Sequence, residues 1–417
     1  MNKKAKIVLY TLIKQDGLIV LAAGLIFFVV CLRVTLFGET KFAIIDWTIF
    51  FSIVATVLLE WFTGAIKRFI LNKLEDDVKL EPDYNKVLLR YCKEDFVKYN
   101  NQNIASENKK ILKKIKKDFE QICFPVICEQ YLEGINIEIS DSLNMYELPE
   151  IVKEHFEEIF VAHATSSVYN QLNIRIEKWG MENEKTFRIN SARTTYFKSL
   201  VTNRAMDYKW GGELTVRELC EYGPFLHSLE DSMLSNHLGF NGFVESDDNY
   251  IILIKRRKNL SIGKGTYGPS VSASVKTKYA LDDIGYFTKE GLEKAIIKET
   301  KSELKINEKD ICSFSCDKNI IAVYRDLVEG GKPQLLVYIK CRQKKDSIVK
   351  NFQEKIKEED KSIKIVDDGH IALCLDRRKL KEVGIVPDFI VYEKKKYKMT
   401  SSTTASLVML INYWEKR

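Results

Sequence analysis

The stretch GLIVLAAGLIFFVVCL, residues 17–32, and the stretch FAIIDWTIFFSIVATVLLEWFTGAI, residues 42–66, are two long apolar runs near the N-terminus. A helix rises about 1.5 Å per residue, so roughly 20 residues cross the hydrocarbon core of a bilayer. After the single charge of Arg33 the first run continues through Val34–Phe37, so only Gly38–Lys41 separates it from the second. This leaves room for nothing but an antiparallel connection. We therefore expect residues 1–70 to form a transmembrane helical hairpin, with spans about 17–37 and 42–66.

Two other interpretations of these runs are less consistent with the sequence. A cleaved signal peptide would need a single short apolar core and a small-residue cleavage site, whereas a second long run follows at once. A buried helix pair of a soluble domain remains as the alternative, but adjacent runs this apolar are rare in soluble chains. Lysines flank both outer ends of the pair, while the tip carries only Lys41 and the nearby Arg33. This bias predicts that both termini are cytoplasmic.

Three ionisable residues, Arg33, Asp46 and Glu60, lie in or near the predicted spans. Charged groups inside a membrane are candidates for function, because burying them in hydrocarbon is costly. Arg33 and Asp46 would lie at similar depth and are able to pair across the hairpin. The alternative is that both side chains only reach toward the headgroups, as we expect for Glu60.

The composition narrows the classes of function. The chain has 417 residues and a formal net charge of +7, with 45% hydrophobic and 29% charged residues. A charge of this size suits an anionic ligand or surface but is too small to indicate duplex DNA or RNA binding. The nine cysteines and five histidines are scattered, and the close pairs Cys123/Cys128 and Cys312/Cys316 lack the partners of a zinc site. We expect reduced thiols and no metal cluster.

A basic amphipathic helix is predicted around residues 109–117. Six of these nine residues are lysines, and apolar residues recur at helical spacing between them. Such a helix can lie on an anionic membrane leaflet, or it can simply expose its lysines to solvent, which is the commoner case.

The most informative strand is predicted over residues 270–278. Ser270, Ser272, Ser274, Lys276 and Lys278 alternate with small, mostly apolar residues. Because the side-chain period of a strand is two, the hydroxyl and ammonium groups would share one face. That face suits a nucleotide, and the alternative is a solvent-exposed strand face.

The helices predicted in the C-terminal half include two that bear on the fold and on the site. One spans Thr288–Leu304, with Thr288 as the N-cap, and a closing helix spans Ser402–Trp414. Glu299 and Glu303, four residues apart on the first helix, are able to share a divalent cation. Exposed acidic residues at this spacing are also common on surface helices.

The order of strand, basic residues, loop, strand and helix resembles the Nudix family. The segment KETKSELKI, residues 298–306, resembles its box, G-x5-E-x7-R-E-U-x-E-E-x-G-U, in which U is aliphatic. Glu290, Glu299 and Glu303 match three of the glutamates. The substituted box positions are Ile284, Lys298, Thr300, Ser302 and Lys305. In active members the glutamates hold Mg²⁺ or Mn²⁺ against a diphosphate. With one carboxylate replaced by Ser302, the resemblance implies nucleotide binding without hydrolysis, and no required cofactor.

The whole chain resembles the membrane-anchored Nudix effectors of bacterial CBASS antiphage systems. The stretches TNRA, residues 202–205, and SNHLGFNG, residues 235–242, are similar to the SMODS-associated Nudix class. The resemblance implies a sensor at the bacterial inner membrane for a cyclic di- or trinucleotide made by a partner nucleotidyltransferase. It further implies ligand-induced homo-oligomerisation and membrane disruption that kills the infected cell.

The sequence thus predicts a membrane-anchored α+β protein in three parts. These are the hairpin (1–70), an α+β connector (71–234) and a C-terminal Nudix-like α/β/α sandwich (235–417). The expected ligand contacts are Arg256, Arg257, Ser272, Ser274 and Lys276.

Two other functions stay open. One is a membrane-tethered, Mg²⁺-dependent Nudix pyrophosphohydrolase, and the other is a plain anchor for a binding module.

Overall fold

The computed structural model describes residues 79–416 together with Ile66, Phe69 and Ile70. Within residues 79–416, the description omits 117, 133, 165, 167–168, 211–213, 257–261 and 360–370. The chain divides into two compact units, of which the larger comprises residues 78–154 and 167–417. The smaller comprises residues 1–77 and 155–166. Apart from helix α4 and the 3-10 turn Val161–His163, all elements named below belong to the larger unit.

The described helices are short, except for four of ten to sixteen residues. In chain order they are α1 (Tyr84–Arg90), α2 (Ser106–Ile115), α3 (Glu150–Glu154), α4 (Phe156–Phe160), α5 (Tyr196–Leu200), α6 (Val216–Cys220), α7 (Thr277–Ala280), α8 (Lys289–Leu304), α9 (Cys316–Asn319), α10 (Lys345–Glu359) and α11 (Ser401–Glu415). Three-residue or longer 3-10 turns occur at Val161–His163, Glu308–Asp310 and Arg377–Glu382.

The described strands form four sheets. In chain order they are β1 (Lys98–Asn100), β2 (Gln121–Cys123), β3 (Val126–Tyr131), β4 (Asn136–Met145), β5 (Leu172–Asn183), β6 (Thr186–Thr195), β7 (Gly239–Glu245), β8 (Tyr250–Lys255), β9 (Tyr267–Gly268), β10 (Val271–Ser274), β11 (Ile320–Asp326), β12 (Lys332–Lys340), β13 (Ala372–Asp376), β14 (Gly384–Val386), β15 (Phe389–Tyr392) and β16 (Lys395–Lys398). Two small three-stranded sheets have the orders β4-β6-β5 and β14-β15-β16, and β1 pairs with β2.

The central sheet has eight strands in the order β13-β8-β7-β12-β11-β3, with β10 paired to β7 and β9 to β8. All pairings are antiparallel except β7 with β12. The strand β3 comes from the segment predicted as a connector, and the other strands come from the segment predicted as a Nudix-like domain. One sheet therefore takes strands from both sides of residue 234.

Helices cover both faces of this sheet. Along β8, Ile251 and Leu253 pack into one apolar cluster with α11 and with Leu112 of α2. The alternate residues Ile252 and Ile254 pack into a second cluster with α8 and α10. Because both faces of the strand are buried, its sequence is a continuous apolar run and does not alternate between apolar and polar residues.

The predicted helix at 288–304 is confirmed, including its cap. The Thr288 backbone is extended, and its side chain accepts a hydrogen bond from the Gly291 N–H at 3.0 Å. The closing helix, predicted at 402–414, is also confirmed as α11. The basic helix predicted around 109–117 is present as α2.

The predicted membrane-anchored fold class is corrected. Among the described residues, no helix is both long enough and apolar enough to cross a membrane. The residues of the two predicted spans, with Arg33, Asp46 and Glu60, lie outside the described part of the chain except for Ile66. The described fold is α+β, and the assignment to the inner membrane is not retained.

The predicted serine and lysine strand is also corrected. Strand β10 ends at Ser274, and α7 begins at Thr277, so Lys276 and Lys278 do not continue the strand face. Ser270 is fully buried, where its hydroxyl accepts a hydrogen bond from the Val244 N–H at 2.7 Å. The period-two pattern misled the prediction because a helical turn interrupts it.

Candidate functional site

The larger unit contains a polar cavity of about 280 Å³. It lies where residues of β7, β10, β11 and β12 meet the start of α11. Its charged lining residues are Arg204, Arg256, Lys332, Glu81, Asp326 and Glu329. Its uncharged polar lining residues include Asn241, Gln334, Thr266, Ser272, Thr400, Ser401, Ser402 and Thr403. We call it the polar cavity below.

The N-terminus of α11 forms one wall of the polar cavity. Thr400 caps this 15-residue helix, since its Oγ1 accepts a hydrogen bond from the Thr403 N–H at 3.3 Å. The first N–H groups of a helix have no carbonyl partner within it, and the aligned peptide dipoles place a partial positive charge there. This wall therefore combines hydroxyl groups with a field that favours an anion.

Arg256 follows strand β8 and lies next to the same helix end. Its Nη2 donates to the Ile262 carbonyl at 3.2 Å. A Cβ on Gly263 would come within 3.1 Å of Arg256 Nε and 2.8 Å of Thr400 Cγ2. A glycine at position 263, with φ at +66°, therefore leaves room for the guanidinium and the helix end to approach each other.

The Arg256 guanidinium lacks a full set of partners. Its Nε is buried, and in the part of the chain that the structure describes this atom has no hydrogen-bond acceptor. Burial lowers the pKa of Arg256, and the positive charge of Arg204 lowers it further. Nearby carboxylates only partly oppose this, so an added anion would stabilise the charged form.

Three charged residues form a network on another wall of the cavity. Glu329 Oε2 lies 3.3 Å from Lys332 Nζ and 3.8 Å from Arg204 Nε. Burial works to raise the pKa of Glu329, but the charges of Lys332 and Arg204 outweigh it, so this pKa is lowered. Burial lowers the pKa of Lys332, and Glu329 opposes that shift. The carboxylate thus holds both cations in place.

Asp326 is the second acid of this wall and is 2% exposed. Burial, with the negative charge of Glu329, raises its pKa to about 7. Its Oδ1 accepts a hydrogen bond from the Val328 N–H at 3.1 Å. The net charge of the cavity therefore changes with pH near neutrality.

Asn241 connects the floor of the cavity to α11. Its Nδ2 donates to the Tyr324 hydroxyl at 2.8 Å and to Ser406 Oγ at 3.0 Å. Its Oδ1 accepts from Ser272 Oγ at 3.0 Å. These bonds fix the amide, so the exposed Ser272 hydroxyl is held at the cavity surface by a rigid partner.

The structure places the predicted ligand contacts in different surroundings. Arg256 and Ser272 both line the polar cavity. Ser274 does not line it, and Lys276 forms an ion pair with Glu299 at 2.7 Å. Arg257 lies outside the described residues.

The glutamates of the box-like segment do not form a metal site in the described structure. Glu299 is 5% exposed and is paired with Lys276. Glu303 lies 3.1 Å from Lys355 Nζ, and Glu290 is exposed in the first turn of α8. Among the described residues, no group of three or more acidic, histidine or cysteine side chains is placed to hold a metal ion. These residues therefore do not fit the Mg²⁺ that an active box would bind.

Sequence reasoning did not assign Arg204, Lys332 or the residues 400–403 to the site. Arg204 and Asn241 do lie in the stretches TNRA and SNHLGFNG, which carried the family resemblance without a stated contact. The run of five hydroxyl residues, Thr400–Thr404, was a usable signal, because such residues favour helix N-termini. Nothing in the sequence indicates that Lys332 and Arg204 share Glu329 as a partner, because Arg204 is distant from both residues along the chain.

The chain matches no model of a known protein family and none of the curated proteins with which it was compared. The resemblance to Nudix effectors therefore stays a prediction from the sequence pattern.

Proposed function

We propose that this chain binds a phosphate-bearing ligand of the cyclic di- or trinucleotide class in the polar cavity and does not hydrolyse it. The observation that carries this proposal is the half-buried Arg256 guanidinium, with an unpartnered Nε, beside the N-terminus of α11. Arginine, helix N–H groups and hydroxyls are the groups that proteins use most often against phosphate oxygens.

A phosphodiester would bind between Arg256 and the first turn of α11. There it would supply the acceptor that Arg256 Nε lacks and would offset the positive end of the helix dipole. Lys332 and Arg204 add positive charge farther along the wall, although Glu329 neutralises part of it. The site is thus suited to a singly charged phosphodiester rather than to a triphosphate.

The rest of the cavity suits a nucleoside. Its amide and hydroxyl side chains, such as Gln334, Ser272 and Thr266, offer both donors and acceptors to a sugar or base edge. The volume of about 280 Å³ lies at the lower end of the usual range for ligand pockets. It suits one nucleotide unit, so the remainder of a cyclic ligand would project outward.

The surroundings of α8 support the proposal that the ligand is not hydrolysed. Glu299 and Glu303 are each neutralised by a lysine, Lys276 and Lys355 respectively. A cation would have to displace both ammonium groups before it could bind to these carboxylates. This observation argues against the alternative of a Mg²⁺-dependent pyrophosphohydrolase.

A cyclic ligand that projects from the cavity offers its second phosphate to another copy of the chain. Binding drives such self-association only if the assembled form binds the ligand more tightly than the monomer does. In this proposal the ligand comes from a nucleotidyltransferase, and assembly is the signal that the protein transmits.

The test is calorimetric titration of the full-length chain with a panel of cyclic di- and trinucleotides. We expect binding to at least one member and a loss of at least tenfold in affinity for Arg256→Gln. The matched control is Arg342→Gln, which removes an exposed arginine that does not line the cavity.

Chromatography of the same ligand after incubation with Mg²⁺ tests hydrolysis. The ligand should be recovered intact. Binding to none of the panel, or equal losses in both variants, would refute the binding site, and rapid cleavage would favour the hydrolase.

A further inference from the structure

Lysines of two segments that are distant in sequence are exposed on the surface of the larger unit, and none of them lines the polar cavity. Lys110, Lys113 and Lys114 are exposed on α2, and Lys395, Lys396 and Lys398 are exposed on β16. Within the described residues, none of these six side chains has an acidic partner. We call this set the basic surface.

Asn108 and Glu107 of α2 hold the two segments together. The buried Asn108 accepts a hydrogen bond from the Lys394 N–H at 3.2 Å and donates to the Glu382 carbonyl at 2.9 Å. Glu107 lies 3.0 Å from Lys394 Nζ. The turn that precedes β16 is therefore fixed against the first turn of α2.

The lysines of α2 continue from this junction along one side of the helix. Lys110 and Lys114 follow Glu107 at i+3 and i+7, which places them on the helix face that carries Glu107. The helix rise separates Lys110 from Lys114 by about 6 Å along the axis, and the strand period separates Lys396 from Lys398 by about 7 Å on one side of β16, with Lys395 on the other side. The charges are thus distributed along a helix and a strand rather than gathered in a compact pocket.

The two residues of the turn before β16 have a backbone conformation that their side chains disfavour. Glu393 and Lys394 have φ values of +46° and +65°, the left-handed region that two-residue hairpin turns require and that Asn-Gly usually occupies. Here a glutamate and a lysine occupy it, and the bond from Asn108 supports the turn. Strained backbone of this kind is enriched at functional sites.

From these observations we propose that the basic surface binds the phosphate backbone of single-stranded nucleic acid, without reading its sequence. Exposed lysines without acidic partners, spread over a helix and a strand, suit an extended polyanion, and counterion release provides the free energy. Lysines two apart on β16 are separated by about 7 Å, which is of the same order as successive phosphates of a nucleic acid strand.

The packing of α2 disfavours a lipid surface as the partner. A helix that lies in a membrane interface must insert its apolar side. In α2 most of that side is already covered, since Leu112 is fully buried and a Cβ on Gly384 would come within 2.5 Å of it, which leaves Ile115, 45% exposed, as the one exposed apolar side chain of the helix. A protein partner would usually need an apolar centre in the interface, and the six residues provide none.

The test is fluorescence anisotropy with a labelled 20-nucleotide oligo(U) over a range of salt concentrations. The logarithm of the association constant should fall with log[salt] with a slope of up to about −3.5, if the five lysines other than Lys395 contact phosphates. The variant Lys110→Glu/Lys113→Glu/Lys114→Glu should bind at least tenfold more weakly and have a slope smaller by about 2.

The matched control is Lys294→Glu/Lys309→Glu/Lys318→Glu. It changes the net charge equally, but its exposed lysines belong to α8, α9 and the turn between them, and α8 packs on the opposite face of the sheet from α2. This control should bind within twofold of the wild type. The hairpin variant Lys395→Glu/Lys396→Glu/Lys398→Glu should repeat the loss, and thermal unfolding should confirm that all variants are folded.

Three outcomes would overturn the proposal. They are no binding of oligo(U) at low salt, equal weakening in the α2 variant and the control, and binding of phosphatidylglycerol vesicles in place of oligo(U). Cyclic nucleotide binding is measured separately, and the α2 variant should leave it unchanged.

Discussion

Lys276 donates a hydrogen bond of 2.7 Å to Glu299 Oε1, and this contact joins the segment after β10 to helix α8. The sequence had suggested a ligand contact for the lysine and a vestigial metal ligand for the glutamate. In the structure each residue is the partner of the other, and Glu299 is 5% exposed.

We expect Lys276→Met to destabilise the fold by about 1–3 kcal/mol, because it leaves the buried Glu299 carboxylate without its charged partner. The free energy of unfolding from urea denaturation measures this effect. The double variant Lys276→Met/Glu299→Gln should recover part of the loss. If Lys276→Met instead weakened ligand binding without changing stability, the original prediction of a ligand contact would hold.

Lys332 and Glu329 provide a second and more deeply buried pair, with side chains 4% and 10% exposed. Removing one partner of a buried ion pair typically costs about 3–5 kcal/mol, because the other charge stays behind unpaired. We expect Lys332→Met to cost this much and Lys332→Met/Glu329→Gln to cost clearly less. A double-mutant cycle from chemical denaturation measures the coupling, and additive losses would contradict it.

The affinity for an anionic ligand should depend on pH through Asp326. Its pKa is raised to about 7 in the folded protein, whereas the ordinary value is about 3.9. Between about pH 4 and pH 7 the folded protein therefore carries a proton on Asp326 that the unfolded chain has already lost. Asp326 releases this proton as the pH rises through 7.

Two measurements test the consequences of this raised pKa. Stability should fall from about pH 4 to about pH 7 and level off above, because the folded state binds the Asp326 proton that the unfolded chain has lost. A phosphodiester ligand should bind more tightly at pH 6 than at pH 8. Urea denaturation and titration calorimetry at several pH values would record the two trends. Asp326→Asn should flatten both, and a wild-type profile that persists in this variant would assign the trend to another group.

Gly263 should be sensitive to the smallest substitution. A Cβ there would lie 2.8 Å from Thr400 Cγ2 and 3.1 Å from Arg256 Nε, at a φ of +66° that only glycine adopts freely. We expect Gly263→Ala to cost about 1 kcal/mol and to weaken ligand binding severalfold by separating Arg256 from the helix end.

A matched control for this prediction is Gly265→Ala. It has a similar φ of +69° but no heavy atom within 4 Å of the added Cβ. It should share the backbone cost while preserving affinity. Equal affinity losses in the two alanine variants would show that backbone strain, not crowding of Arg256, is responsible.

Local signals made parts of this fold predictable. Thr288 and the hydroxyl run at Thr400–Thr404 mark helix starts because a cap needs only residues adjacent in sequence. The lysine-rich helix α2 could be recognised from its period, and β8 from its apolar run. Each of these elements is defined within about fifteen residues.

The site itself depends on contacts that no local pattern contains. Arg204 and Lys332 both lie beside Glu329, at 3.8 Å and 3.3 Å, although Arg204 is far from the other two residues in the sequence. The serine and lysine pattern of residues 270–278 indicated one strand face, but α7 begins within it, and Lys276 turns toward a helix that follows 13 residues later. A periodic pattern of residues is a property of one segment, whereas the lining of this cavity comes from six segments of the chain.

Only Met399, which is 3% exposed, separates the end of β16 at Lys398 from the cap of α11 at Thr400. The lysines of β16 and the cavity wall are thus parts of one continuous and well-packed piece of backbone. If a nucleotide in the cavity changes the affinity for oligo(U) by some factor, thermodynamic linkage requires oligo(U) to change the affinity for that nucleotide by the same factor. Measuring both factors would show whether this short stretch of main chain couples the binding of the two ligands.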